Sequence, residues 1–327
     1  CMEKCPVKVP FEFEYNLAKR SAIYIPFPQA IPRVARIDPT VCLKLTKNRC
    51  GNCEKVCGPK AVNYNDVDRE MVLDVGAVIV ATGFKPYDVS HLTQYHPEHP
   101  DVIHSMQFER LLNASGPTAG HVVRGSDGKP PKRIGIIQCI GSRSKSSGQG
   151  RPYCSSVCCA YATKESMIAV EHDPNLEIVI FNIDVRVFGK GFEEFYQRAQ
   201  RDYGLKYVDS RPSCVNVRKD GSLYVVYEDH DEGRVKQMDL DMVVLSVGLD
   251  TNPKLRQIAD ALGIELDEFG HALTTTAEPM STTREGIFVL GAASGPKDIP
   301  DTCHLYTSPS PRDLSTSRMP SSAGKKK

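Results

Sequence analysis

Ten of the twelve cysteines in this 327-residue chain fall into short runs whose spacing suits thiolate chemistry. Cys1-Met-Glu-Lys-Cys5-Pro6 matches the end of a C-x2-C-x2-C-x3-C-P run. Cys42 and then Cys50-Gly-Asn-Cys53-Glu-Lys-Val-Cys57-Gly-Pro59 form a second run, its first gap widened to seven residues. Paired runs of this kind hold two [4Fe–4S] clusters, because a tight loop aims three thiolates at one cubane while the fourth cysteine crosses to the other. On that pattern Cys5, Cys42, Cys50 and Cys53 make one complete site. Cys1 and Cys57 belong to a second, whose missing ligands are expected before residue 1. Zinc also takes C-x2-C pairs, so a zinc-stabilised structural module stays open as an alternative, as do disulfides or free thiols.

A third constellation lies further on. Cys139 ends an apolar run, and Cys154, Cys158 and Cys159 stand as C-x3-C-C where helical spacing begins. Residues four apart share a helix face, and an adjacent cysteine at a frayed start can turn to the same centre. The helix dipole favours thiolates there. A 14-residue loop returns Cys139 to the others, and a third cluster is expected. A pair of buried core cysteines or a redox disulfide are the alternatives. Cys214 reads as a small buried hydrophobe. His91, His96, His99 and His104 crowd one stretch, but Pro97 and Pro100 make it a polar loop rather than a metal site.

These side chains need a frame. Asp74-Val-Gly-Ala-Val-Ile-Val-Ala-Thr82-Gly83, Asp241-Met-Val-Val-Leu-Ser-Val-Gly248 and Gly286-Ile-Phe-Val-Leu-Gly-Ala-Ala293 each read as a buried parallel strand ending in a small-residue turn. In flavin disulfide-reductase-like folds such turns let backbone approach a dinucleotide. Ala81, Thr82, Gly83, Gly291 and Ala292 are therefore candidate cofactor-binding positions. Residues 132–183 read as a βαβ unit: strand 133–140, a Ser/Gly loop from Gly141 to Gly150, helix 155–172 and strand 177–183. The G-x-G-x-x-G fingerprint is absent from it. Asp184 stands where a ribose-binding acid could sit. Without the glycines, an ordinary NAD(P)H-dependent disulfide oxidoreductase is the weaker reading. The proline-rich stretch 22–32 reads as an extended connector.

Lys plus Arg number 41 and Asp plus Glu 40, and this balance argues against nucleic-acid binding by bulk charge. No apolar run approaches the roughly 18 residues of a membrane span. Neither a membrane nor a nucleic-acid partner is expected, and the location expected is the cytoplasm. The Ser/Pro-rich end from residue 303, which includes Cys303, reads as a non-native disordered tail.

At this point the chain resembles the A-type subunits of the heterodisulfide reductase family. The resemblance rests on Ile23-Tyr-Ile-Pro-Phe-Pro-Gln-Ala-Ile-Pro32, residues 74–84, Phe108-Glu-Arg-Leu-Leu-Asn-Ala-Ser-Gly-Pro-Thr118 and Ile137-Gln-Cys-Ile-Gly-Ser-Arg143. Tyr153-Cys-Ser-Ser-Val-Cys-Cys159 with Lys164, residues 189–196 and Gly295-Pro-Lys-Asp-Ile-Pro-Asp301 complete it. It implies an α/β, thioredoxin-reductase-like nucleotide-binding fold with an inserted two-cluster ferredoxin-like domain. FAD is implied between the clusters, with the third cluster on Cys139, Cys154, Cys158 and Cys159. Lys164 is implied to lie near the flavin and stabilise its reduced, anionic form.

In the family the flavin splits an electron pair from hydrogenase or formate dehydrogenase between ferredoxin and, through partner subunits, a disulfide. The domains implied are 1–65 (ferredoxin-like, truncated), 66–125 (return into the FAD-binding domain), 126–245 (second nucleotide fold with the cysteine cluster) and 246–302 (remainder of the FAD-binding domain). The glycine-rich first FAD half and the C-terminal clusters are expected outside these residues. Gly291-Ala292 departs from the Gly-Asp that related flavoproteins present to the FAD ribitol.

Overall fold

The computed structural model describes residues 1–145, 148–187, 189–230 and 232–307. Proline governs the first segment. Strands β1 (Val9–Pro10) and β2 (Lys19–Arg20) pair antiparallel, as do β3 (Ile23–Tyr24) and β4 (Arg36–Ile37). Pro10 ends β1 by removing a ladder donor. Two single-turn helices follow, α1 (Leu43–Lys47) and α2 (Asn52–Lys55), each beside a cysteine run.

Chain order then gives β5 (Val78–Val80), β6 (Phe84–Pro86), β7 (Val102–His104), α3 (Ser105–Leu112), β8 (Arg133–Ile140), α4 (Cys158–His172), β9 (Glu177–Phe181), α5 (Phe192–Tyr203) and β10 (Lys206–Val208). An antiparallel trio follows, β11 (Val215–Val217), β12 (Leu223–Asp229) and β13 (Arg234–Leu240). The last elements are β14 (Met242–Val247), β15 (Leu249–Thr251), α6 (Lys254–Leu262), β16 (Ile287–Val289) and α7 (Ile299–Thr307).

Five strands form one parallel sheet in the order β10-β9-β8-β14-β7. On one face α3, α4 and α5 bury Phe108, Leu111, Ala162, Met167 and Ala199 against Ile134, Ile136, Ile178 and Ile180. The antiparallel trio covers the other face, setting Val215, Leu223, Val225 and Leu240 against Ile137, Val179, Val243 and Leu245. A sheet covered on both faces explains the near-continuous apolar runs of β8, β9 and β14.

The three strand-and-turn runs of the sequence divide between two sheets. β5 and β16 pair parallel to each other in a separate small unit, packed on Leu255, Ala259 and Ile264. β14 pairs instead with β8 and β7. A buried strand's apolar pattern does not encode its neighbour, so the runs look alike in sequence. For the same reason β7 and α3, expected in the 66–125 segment, join the five-stranded sheet. Helix α7 carries regular structure through Thr307, which corrects the expected disorder of 303–307. The rest of that expected tail, 308–327, lies outside the described residues, as do residues 146 and 147 of the Ser/Gly loop. Among the described residues no helix is long and apolar enough to cross a membrane.

The N-terminal segment is fastened to the sheet by a buried ion pair. Arg110 of α3 donates from Nε and Nη2 to the two carboxylate oxygens of Glu14, at 2.8 and 2.9 Å. The two residues are 8% and 4% exposed, so water screens neither. Phe13 lies under the guanidinium at 4.7 Å, and Tyr15 meets His104 edge-on at 5.0 Å. Removing one partner of such a pair strands the other charge in a dry site, which costs about 3–5 kcal/mol. Glu14→Gln is therefore expected to lower unfolding free energy by roughly 3 kcal/mol, read as a shifted urea midpoint. A change smaller than that of a surface pair, about 1 kcal/mol or less, overturns the assignment.

Candidate functional site

The N-terminal cysteines enclose one cavity. Cys5, Cys42, Cys50 and Cys53 line it, together with apolar Val7, Ala22 and Ile23. These are the four residues that spacing assigned to one complete site. Helices α1 and α2 are short enough to let the chain turn back around this space. Cys50 has φ +84° and Asn48 +48°, left-handed conformations that non-glycine residues hold at a cost of about 1–3 kcal/mol each. The Cys50 thiol is held below its usual range by the backbone amides of Asn52 and Gly51. Tyr64, outside both motifs, sits in the same wall with its hydroxyl 2.8 Å from Cys53 Sγ. Burial first, then Cys53 and Cys42, drive the Tyr64 phenol up, so its proton is held firmly. Cys1 and Cys57 do not line this cavity. Cys1 is exposed, and Cys57 Sγ accepts from the Ala61 amide at 3.3 Å.

The second constellation stands at the carboxyl ends of β8 and β14, where ligands bind in parallel α/β sheets. Opposite Ser246 alone, β8 presents both Gln138 and Cys139, since Leu245 pairs with Ile137 and Val247 with Ile140. This is a β-bulge, and Cys139 takes φ +62° within it. Bulges re-aim side chains beside sites. The loop after it is pinned to β15: Arg151 grips both oxygens of Asp250 at 2.8 and 2.9 Å, and the Tyr153 hydroxyl donates to Leu249 O. It also closes on itself through Arg143 N to Tyr153 O and Arg151 N to Gly141 O, which brings Cys154 back towards Cys139. Cys158 and Cys159 then open α4.

Electrostatics shows that these thiols share one neighbourhood. Every pair among Cys139, Cys154, Cys158 and Cys159 is close enough that ionising one member opposes ionising the other. Burial raises the thiols of Cys139 and Cys158, and pushes Cys159 up to about 11. Compensation is partial: the Arg186 amide reaches Cys159 Sγ at 3.3 Å, the Ser156 amide Cys154 Sγ at 3.4 Å, and Arg143 and Arg211 lend positive charge to Cys139. Four thiolates in so dry a place need a cationic centre to be stable together. Among the described residues no three His, Cys, Asp or Glu side chains converge tightly enough for one metal ion. A cubane, which gives each thiolate its own iron, asks for a wider set.

The turns assigned to a dinucleotide lie side by side. β5 and β16 run parallel, Leu290 N donates to Val80 O at 3.0 Å, and both Gly83 and Gly291 take left-handed φ, +67° and +63°. Asn252 Nδ2 holds the Thr82 carbonyl at 2.9 Å, while the Thr82 hydroxyl is buried without any partner. Ala81 is exposed and Ala292 half-buried. An orphaned hydroxyl among close backbone turns suits a polar ligand group. Lys164 lies on the outer face of α4, its Nζ 3.2 Å from both oxygens of Glu109. Asp184 is already engaged by Arg143 and Arg186 rather than open to a ribose. The four histidines are used singly: His91 on Gly148 O, His96 on Glu98, His99 on Gly221 O and His104 as the cap of α3. Cys214, expected to be buried, is half-buried. Tyr64 and Arg211 carry no sequence signal, because each reaches its cysteine through the fold and not through local spacing.

Residues 161–307 match the pyridine nucleotide-disulphide oxidoreductase family. The chain is 42% identical over 306 residues to the iron-sulfur A subunit of CoB–CoM heterodisulfide reductase from Methanocaldococcus jannaschii, covering 92% of this chain and 46% of that protein. It is 42% identical over 308 residues to the A subunit of H(2)/formate:CoB-CoM heterodisulfide,ferredoxin reductase from Methanococcus maripaludis, covering 92% and 45%. The chain thus spans about half the length of the curated relatives it matches. A thioredoxin reductase of T. acidophilum aligns with TM-score 0.41 at 15% identity over 70% of this chain and 63% of that one, too loosely to assign a fold. The family match and the parallel sheets together give the flavin disulfide-reductase type of nucleotide-binding fold.

The seam between β8 and β14 is sterically closed. A Cβ on Gly248 would stand 2.1 Å from Ser142 Oγ and 2.6 Å from Ser155 Oγ, which bond each other at 2.7 Å. Ser155 also accepts from Leu249 N at 2.8 Å. Gly248→Ala is expected to destabilise the chain by about 1–3 kcal/mol through overpacking, visible as a lowered thermal midpoint. An unchanged midpoint overturns this view of the seam.

Proposed function

Since this chain is homologous to the A subunits of heterodisulfide reductases over nearly all of its length, we propose that it is part of an electron-transfer iron–sulfur flavoprotein subunit of that kind. The observation that carries the reading is the gathering of cysteines into two places, four around one cavity and four in mutual electrostatic contact at the sheet's carboxyl edge. An all-thiolate donor set of four fits a [4Fe–4S] cluster at each. Cys1 and Cys57 would serve a further cluster with ligands from elsewhere, which makes residues 1–65 an inserted ferredoxin-like domain. Residues 66–125, apart from β7 and α3, and residues 246–302 would contribute to the FAD-binding domain, and 126–245 to the second nucleotide fold, which β7 and α3 join. FAD would rest against Ala81, Thr82, Gly83, Gly291 and Ala292.

Bound clusters pass single electrons and a flavin exchanges pairs for single electrons. The chain's own residues do the rest. The cysteine thiolates hold the clusters, the bulge at Cys139 and the pinned loop fix one of them, and backbone amides at Ser156 and Arg186 offset thiolate charge. Lys164 would set a positive charge beside the flavin, with Glu109 holding its ammonium in place. The loop after β8 carries cysteines and lacks the G-x-G-x-x-G fingerprint, which disfavours an NAD(P)H-dependent reductase. For the whole protein we propose reduction of ferredoxin and, with other heterodisulfide reductase-type subunits, of a disulfide. The electrons would come from hydrogenase or formate dehydrogenase in the cytoplasm of an anaerobe, possession of a bifurcating flavin making the two reductions coupled.

Anaerobic reconstitution tests the clusters. The wild-type chain is expected to take up iron and acid-labile sulfide equally and to show visible absorption that dithionite bleaches. Cys42→Ser and Cys158→Ser should each remove one share of iron and leave the other. A colourless protein with stoichiometric zinc refutes the reading. For the flavin, Thr82→Val in the complete protein should loosen FAD by roughly fivefold, the worth of about one hydrogen bond, with folding stability unchanged because the hydroxyl has no protein partner. Undiminished retention would remove Thr82 from the site.

A further inference from the structure

Tyr64 stands seven residues past the last cysteine of its run, and no motif marks it. The fold carries it back. Lys60 takes φ +52°, its amide donates to Cys57 O at 3.0 Å, and the Ala61 amide reaches Cys57 Sγ. This reversal sets the Tyr64 ring in the wall of the cavity that Cys5, Cys42, Cys50 and Cys53 line, with its hydroxyl 2.8 Å from Cys53 Sγ.

We propose that Tyr64 tunes the reduction potential of the cluster held by those four cysteines, by donating a hydrogen bond to the Cys53 sulfur. The inference rests on the cluster reading above. A thiolate bound to iron carries no proton, so the phenol must be the donor. Donation draws electron density from the sulfur and stabilises the more negative, reduced cluster, so the potential rises. The partly buried, apolar wall strengthens the effect. Tyr64 is thus a positioning and tuning residue and not a ligand.

The test is Tyr64→Phe in the full chain, reconstituted anaerobically beside the wild type. It removes one oxygen and keeps the ring that fills the wall. Iron and sulfide content, an EPR-monitored redox titration and the deuterium sensitivity of the Fe–S(Cys) Raman bands are measured. The expected result is unchanged cluster content, a more negative midpoint for the N-terminal site, and loss of a deuterium shift that the wild type shows. An unmoved midpoint at full cluster content overturns the proposal. So does loss of the cluster in the variant, which would make Tyr64 a scaffold residue. A wild-type chain that takes up no iron sinks the cluster reading itself, a failure distinct from the other two.

Discussion

Four thiols within electrostatic reach of one another, three of them buried, are the constraint around which the sheet's carboxyl edge is organised. Each of Cys139, Cys158 and Cys159 resists ionisation because it is dry, and each ionised neighbour makes the next harder. Left alone, such a group would be a liability to the fold. The chain nevertheless expends strain to assemble it. Cys139, Arg143 and Ser156 all hold left-handed φ, at +62°, +55° and +65°, and the loop between Cys139 and Cys154 is tied down by Arg151–Asp250 and by its own backbone bonds. Strain that clusters at one spot and is over-determined by its surroundings points to a site under functional selection.

That spot coincides with the switch in strand order. From β8 the chain proceeds outward through β9 and β10, then returns to β14 on the opposite side of β8. In open parallel sheets this seam is where a dinucleotide enters, through a glycine-rich turn at a helix start. Here the turn carries cysteines, and Cys158 and Cys159 stand at the helix start. A serine pair packs against Gly248 at this seam.

Much of this was legible in the residues, for physical reasons that differ between parts. The N-terminal grouping was legible because a short loop limits which thiols can meet: Cys42, Cys50 and Cys53 with Cys5 are grouped by spacing and line one cavity. β8 was legible because a strand buried on both faces leaves a long apolar run, and its bounds 133–140 match. Helix α4 starts at Cys158, later than the spacing suggests, because the preceding residues are drawn into the cysteine loop. Pairing partners were hidden. Nothing in Val78–Val80 or Met242–Val247 says that the first joins β16 and the second β8. The antiparallel trio was hidden too, its alternation in β12 being interrupted by charge at its end. Tyr64 and Arg211 contribute through space alone.

The two cysteine groups are joined by one chain of packing contacts. The N-terminal segment reaches α3 through Glu14–Arg110 and through Tyr15 on His104. Helix α3 packs on α4, whose first two residues are Cys158 and Cys159. A bidentate pair buried on both sides permits neither sliding nor rotation at the joint, since either motion would expose an unpaired charge to apolar surroundings. An exposed linker would have joined the segments with less cost to folding. The buried ion pair at this joint thus fixes the N-terminal segment on α3.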